Sequence, residues 1–140
     1  MDAMEGWQRL VGRWATEGTH PLLPGEAITG AATFAWLGEG QFLVMRAHVD
    51  HPKIPDALTV TGVIDGELTM HYYDPRGVHR EFRAEMSGDT WRWWNDAPGF
   101  AQRCTGTFED GDTVIRCQVE TCRDGSTWDP DLELTYRRVE

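Results

Sequence analysis

Short runs of alternating apolar and polar residues, broken every ten residues or so by Gly, Pro or Asp, organise this chain. The runs are rich in Val, Thr, Phe, Tyr and Trp, residues that suit a pleated, half-buried surface. A period of two between such breaks predicts an antiparallel all-β domain. The first segment departs from the pattern. Met4, Trp7, Leu10 and Val11 fall at helical spacing, with Asp2 placed to cap and Gly12 to stop a short N-terminal helix over roughly 3–10. Strands are expected next over about 13–20 and 27–37.

Turn chemistry assigns the faces of the later strands. Asp74-Pro75-Arg76-Gly77 suits a type I turn followed by a left-handed Gly. That register pairs Tyr72 with Arg80, Met70 with Phe82 and Leu68 with Ala84. A two-residue Gly88-Asp89 turn places Met86 opposite Trp91, Ala84 opposite Trp93, Glu85 opposite Arg92 and Arg83 opposite Trp94. The three tryptophans of DTWRWWND therefore divide: Trp91 and Trp93 point inward, and Trp94 points outward, within reach of Arg83 and Arg92.

An Asp110-Gly111 turn pairs Phe108 with Thr113, Gly106 with Ile115 and Cys104 with Cys117. A Gly38-Glu39 turn sends Leu43, Met45 and Ala47 inward and leaves His48 facing solvent. The last strand, LELTYRRV, turns Leu132, Leu134 and Tyr136 inward, with Arg138 on the same side. Neighbouring hairpins thus agree on one apolar face. About eight to ten strands in meander order curl into a single closed antiparallel up-and-down β-barrel, which removes the sheet edges. Residues 1–140 form one domain.

Composition narrows the function. Thirteen basic against 23 acidic residues give a net charge of −10. Such a chain repels phosphate backbones and anionic lipid surfaces, so neither nucleic acid nor membrane is an expected partner. MDAMEGWQRLVG lacks a basic n-region and a long apolar run. Cys104, Cys117 and Cys122 are odd in number and form no Cys-x-x-Cys. A cytoplasmic protein with reduced thiols is expected.

The interior positions carry the candidate chemistry. Tyr72, Arg80, Trp91, Trp93, Asn95 and Gln102 point into the predicted barrel. One reading has Tyr72, Arg80 and Gln102 orient the polar end of a ligand while Trp91, Trp93, Phe82 and Met70 line an apolar lumen. The other pairs Arg80 with an internal carboxylate and lets the tryptophans fill space. Asp96, Tyr72 and His51 are candidates for acid–base work near the mouth, although Asp before Pro-Gly commonly serves the turn. His20, at the end of the first strand, is open to the same two readings. His48, Asp50 and His51 offer metal-ligand atoms, but strand alternation puts His51 on the opposite face, and no metal is expected. Ser is confined to Ser87 and Ser126, and no phosphate-cradling Gly loop opens a helix, which argues against a Ser hydrolase and against nucleotide chemistry. Trp94 and Tyr73 could form a patch through which two copies pair.

LVGRWATEG resembles the Gly-x-Trp opening of calycin barrels, the lipocalin and nitrobindin superfamily. There the Trp closes one barrel end under an Arg from the last strand. The resemblance places Trp14 and Arg138, or its neighbour Arg137, in those roles. FAWLGEGQFLV, HPKIPD, LTMHYYDPRGVHR, WNDAPGFAQRCTGTF and DGSTWDPDLELTYRRV extend it over nearly the whole chain to the bacterial lipocalin-like DUF1579 group. Nitrobindins hold haem through a late-strand His, and no His follows His79 here, so no cofactor is expected. Three functions remain open: a binder of one small hydrophobic molecule, a cofactor-independent isomerase, cyclase or hydratase in the same cavity, and an interaction protein with a filled core.

Overall fold

The computed structural model describes residues 3–139. Ten strands follow one 3-10 turn, Trp7–Leu10. They are β1 (Gly12–Thr19), β2 (Ile28–Leu37), β3 (Phe42–Val49), β4 (Ala57–Ile64) and β5 (Glu67–Asp74), then β6 (Val78–Ser87), β7 (Thr90–Trp94), β8 (Ala101–Glu109), β9 (Val114–Cys122) and β10 (Trp128–Arg138). Each strand pairs antiparallel with its sequence neighbours, and β1 closes on β10, giving a lipocalin-like up-and-down barrel. Among the described residues no helix is long and apolar enough to cross a membrane.

Two hairpins follow directly from their turn residues. Gly77 adopts φ 81° and its N–H donates to the Asp74 carbonyl at 3.1 Å. Tyr72 faces Arg80, and Met70 faces Phe82. Gly88 at φ 58° sets Met86 against Trp91 and Ala84 against Trp93.

Two turns are wider than expected. The β8–β9 loop spans residues 110–113, so Phe108 pairs with Ile115, Gly106 with Cys117 and Cys104 with Val119. Asp110, Gly111 and Asp112 all take positive φ, a conformation that Asp tolerates better than most residues. Likewise β2 and β3 are joined by residues 38–41 rather than by a two-residue Gly38-Glu39 turn. Each correction is a slip of two, and a slip of two preserves the faces. Cys104 and Cys117 consequently meet on a diagonal rather than directly opposite. The final strand also begins earlier than LELTYRRV, with an irregularity between Pro130 and Glu133.

The N-terminal helix is shorter than predicted. Gly6, left-handed at φ 92°, precedes the single 3-10 turn, and the proposed Asp2 cap lies outside the described residues. Met4, Trp7 and Leu10 recur every third residue, the period of a 3-10 turn, and all three are buried. This turn plugs one end of the barrel. Arg9 fixes it, donating to both Asp112 carboxylate oxygens (3.3 and 2.6 Å), to Asp89 at 2.9 Å and to the Gly88 carbonyl at 2.6 Å, while its guanidinium covers the Phe108 ring.

Above the plug lies a group of rings in edge or tilted contact: Trp14, Phe34, Trp91 and Tyr136. Gly106, opposite Trp91, makes room for it. A Cβ there would come 2.9 Å from Cys117 Sγ and 3.3 Å from Trp91 Cε3. The plugged half is therefore filled with side chains.

Candidate functional site

The barrel is filled at one end and open at the other. Trp7, Leu10, Trp14 and Ile115 are fully buried near the plug. Toward the loops 20–27, 50–56, 75–77, 95–100 and 123–127, inward-facing Tyr72, Trp93, Gln102, Leu132 and Leu134 stay partly exposed. Strand alternation points these side chains away from the outer surface, so solvent reaches them from inside the mouth.

The wall itself is incomplete at this end. β7 stops at Trp94, opposite Arg83, and residues 78–82 of β6 run on without a partner strand on that side. The chain leaves as the 95–100 loop, held by Asn95 N–H to the Gln102 carbonyl (2.9 Å) and Gln102 N–H to Asn95 Oδ1 (3.0 Å). A cavity of about 560 Å³ opens there, lined by His79, Arg80, Glu81, Asn95, Ala97 and Phe100. A second hollow of about 570 Å³ lies on the outer wall of β2 to β5, where Thr33, Arg46, His48 and Tyr73 point out of the barrel.

Arg80 is half-buried at the gap. Its Nη1 donates to Gln102 Oε1 at 3.0 Å, and its guanidinium lies 4.6 Å from the Phe100 centroid and 6.0 Å from that of Tyr72. Among the described residues no carboxylate pairs with it. Tyr72 does not reach Arg80 through its hydroxyl. It donates instead to Asp74 Oδ2 at 2.8 Å, and burial, helped by that carboxylate, pushes the phenol up to about 12. Asp74 itself is buried and accepts from Arg76, which holds its carboxyl well below the usual range.

Trp93 packs edge-on to Phe82 with centroids 4.7 Å apart. Phe82, Met70 and Trp91 sit deeper, each almost fully buried, and form the floor of the open half. Trp91 Nε1 is buried without a hydrogen-bond partner among the described residues. Trp14 and Arg138 are together at the plugged end.

The acid–base candidates are scattered. Asp96 is exposed on the 95–100 loop. His51 Nδ1 accepts the Lys53 N–H at 3.1 Å, which leaves Nε2 protonated and 3.4 Å from Glu26. His20 Nδ1 accepts the Leu22 N–H at 3.1 Å, so Nε2 carries the proton toward Asp131 Oδ1 at 3.0 Å. Asp131 also accepts from Thr121. His48 faces outward between Asp56 and Asp50, 2.8 Å from each, and Asp56 first, then Asp50, raises its pKa. Cys117 is pushed well up by its contact with Cys104 and by burial. Trp94 is half-buried under Arg92 alone, since Arg83 pairs with Glu67.

One residue of the mouth had no sequence signal. Arg123, in the loop after β9, lies 5.3 Å from the Phe100 centroid. Loop residues carry no period from which such an approach can be read.

No family model matches the chain, and no curated protein matches it significantly. Its barrel is similar to a solved one, the crystal structure of Rv2717c from M. tuberculosis. The TM-score is 0.70 at 14% identity, over 99% of this chain and 98% of that one. At that identity the likeness shows the fold alone.

Proposed function

We propose that this protein binds one small, mostly apolar molecule in the open half of its barrel. The observation that carries the reading is the contrast between the two ends. Trp7, Leu10, Trp14 and Ile115 at the plug are fully buried, while Tyr72, Trp93, Gln102, Leu132 and Leu134 face inward toward the other end and remain partly exposed. Apolar walls with a few convergent polar groups are what a small-molecule site requires. Trp93 would cover the apolar body, and Arg80 and Gln102 would orient the polar end. The quoted sequence pieces support a place in the bacterial lipocalin-like DUF1579 group. The unpaired thiols of Cys104, Cys117 and Cys122 fit a reducing, cytoplasmic setting.

The titratable groups support binding over catalysis on the same barrel. His20 and His51 each have the Nδ1 lone pair taken by a backbone N–H. Tyr72 is held protonated, and Asp74 is occupied by Arg76 and Tyr72. Neither Tyr72 nor Asp74 is poised near neutral pH to exchange a proton with a bound substrate.

Native mass spectrometry of freshly purified protein, set against the denatured spectrum, tests the proposal. The expected result is one small-molecule adduct per chain, lost on denaturation and lost in Trp93→Ala with the oligomeric state unchanged. An adduct retained in full by folded Trp93→Ala would place the ligand elsewhere.

A further inference from the structure

The open mouth holds two arginines that gather on one aromatic ring rather than on a carboxylate. The chain carries a net charge of −10. Arg9, Arg76, Arg83, Arg92, Arg103 and Arg116 each pair with a carboxylate. Among the described residues Arg80 and Arg123 do not, nor do Arg46, Arg137 and Arg138, the last of which is satisfied by backbone carbonyls. Arg80 and Arg123 differ from these in sharing one ring. Both guanidiniums instead lie within 5.3 Å of the centroid of one ring, Phe100. Among the described residues Arg80 has one hydrogen-bond acceptor, the neutral amide oxygen of Gln102, and Arg123 has none. A guanidinium presents five N–H donors, so most of theirs meet no protein acceptor. Arg80 also lines the 560 Å³ cavity at the gap between β6 and the 95–100 loop.

Arg80 is half-buried and Arg123 exposed. Keeping the half-buried cation without a counter-charge is unfavourable, and a second cation on the same ring adds repulsion that solvent only partly screens. An oxyanion between them relieves both costs. The guanidinium fork fits the oxygens of a carboxylate, a sulfonate or a phosphate, and such charge-assisted bonds are the stronger class of hydrogen bond.

We propose that Arg80 and Arg123, both beside the Phe100 ring, form a subsite for the oxyanion head group of an amphiphile whose apolar body lies in the open half of the barrel. This rests on the reading of the barrel as a binder of one mostly apolar molecule. It adds the class of that molecule, an acid rather than a neutral compound, and the direction in which it lies. The head group sits at the wall gap beside Gln102, and the body runs inward toward Trp93.

Two fluorescent probes with the same body separate this claim from the one beneath it. 8-Anilinonaphthalene-1-sulfonate carries an oxyanion, and N-phenyl-1-naphthylamine lacks it. The proposal expects the sulfonate to bind wild-type protein more tightly, with an affinity that falls as salt is added. Arg80→Gln and Arg123→Gln should each weaken the sulfonate about tenfold, the scale of one charged hydrogen bond, and leave the neutral probe unchanged. Unchanged neutral-probe binding also shows that each variant is folded. Arg46→Gln, on the outer wall, should affect neither probe.

Displacement of the bound sulfonate by dodecanoate or by dodecyl phosphate supports the proposal, and the more effective of the two identifies the head group as carboxylate or phosphate. Equal binding of both probes, or sulfonate binding that Arg80→Gln and Arg123→Gln leave intact, overturns the oxyanion subsite and leaves the apolar site standing. Failure of wild-type protein to bind either probe overturns both.

Discussion

The guanidinium of Arg138 lies over the indole of Trp14, 4.1 Å from the ring, and fastens the last strand to the first turn of the chain. Arg138 Nη1 donates to the Val11 carbonyl at 2.8 Å, Nη2 to the Arg9 carbonyl at 2.5 Å and Nε to the Asp112 carbonyl at 3.3 Å. Trp14 Nε1 in turn donates to the Leu10 carbonyl at 2.9 Å. One cation thus satisfies carbonyls at the end of the plug while its face covers a buried ring. Arg138→Gln should destabilise the protein by about 1–3 kcal/mol, because partly buried carbonyls lose their donors along with the ring contact. Arg138→Lys should recover only part of the loss, since an ammonium lacks the planar fork. Urea denaturation of the two variants measures both numbers.

Gly106 gives a prediction about packing. Its missing side chain is the space into which Trp91 fits, between Cys117 and Ile115. Gly106→Ala should cost about 1–3 kcal/mol through overpacking, despite the gain in strand propensity usual for Ala over Gly. A melting temperature equal to that of wild type would show that the neighbouring side chains yield freely.

Asp74 sets an acid limit. Its carboxyl is held low chiefly by Arg76, with Tyr72 also donating. A depressed carboxyl pKa contributes stability that is present above the unfolded value, near 3.8, and is lost as pH falls toward the folded one. Tyr72 works at the other extreme. Its phenol is raised to about 12, so stability declines as pH rises from the ordinary value of 10.0 toward that figure. Asp74→Asn should cost about 1–3 kcal/mol at neutral pH and flatten the acid limb of a stability–pH curve. Urea midpoints measured across pH for both proteins check the shape.

His48 should titrate above its ordinary value of 6.5, because Asp56 and Asp50 both favour the imidazolium. The ion pairs hold the 50–56 loop below the ordinary value and are lost as pH rises through the folded pKa. The pairs are exposed, so the effect belongs to the loop rather than to global stability. Proton NMR titration should place the His48 pKa lower in Asp56→Asn than in Asp50→Asn, with both below wild type.

The barrel was legible in the chain because period-two alternation and turn glycines are short-range signals. Gly77 and Gly88 fixed their hairpins to the residue. The loop at 110–113 was not legible, since Asp110 and Asp112 adopt left-handed backbone that an Asp-Gly pair does not announce. Inward positions such as Cys104, Ile115 and Cys117 survived that error because a two-residue slip keeps the face. Arg80 and Gln102 could be placed on the inner face from their register. Their contact, the absence of a carboxylate beside Arg80 and the approach of Arg123 to Phe100 depend on where β7 stops and how two loops return. Those are long-range facts. The two-sided clamp of Arg9 on Asp89 and Asp112 is of the same kind.

The central claim is that a ligand occupies the open half of the barrel. The seven tryptophans supply seven indole N–H reporters spread along and around it. A two-dimensional ¹H–¹⁵N NMR titration with N-phenyl-1-naphthylamine reads them together. The account predicts that the Trp93 signal shifts on binding while Trp7 and Trp14, buried at the plug, stay in place. Shifts confined to outward-facing Trp94, or a Trp93 signal that stays fixed while the probe binds, would contradict it.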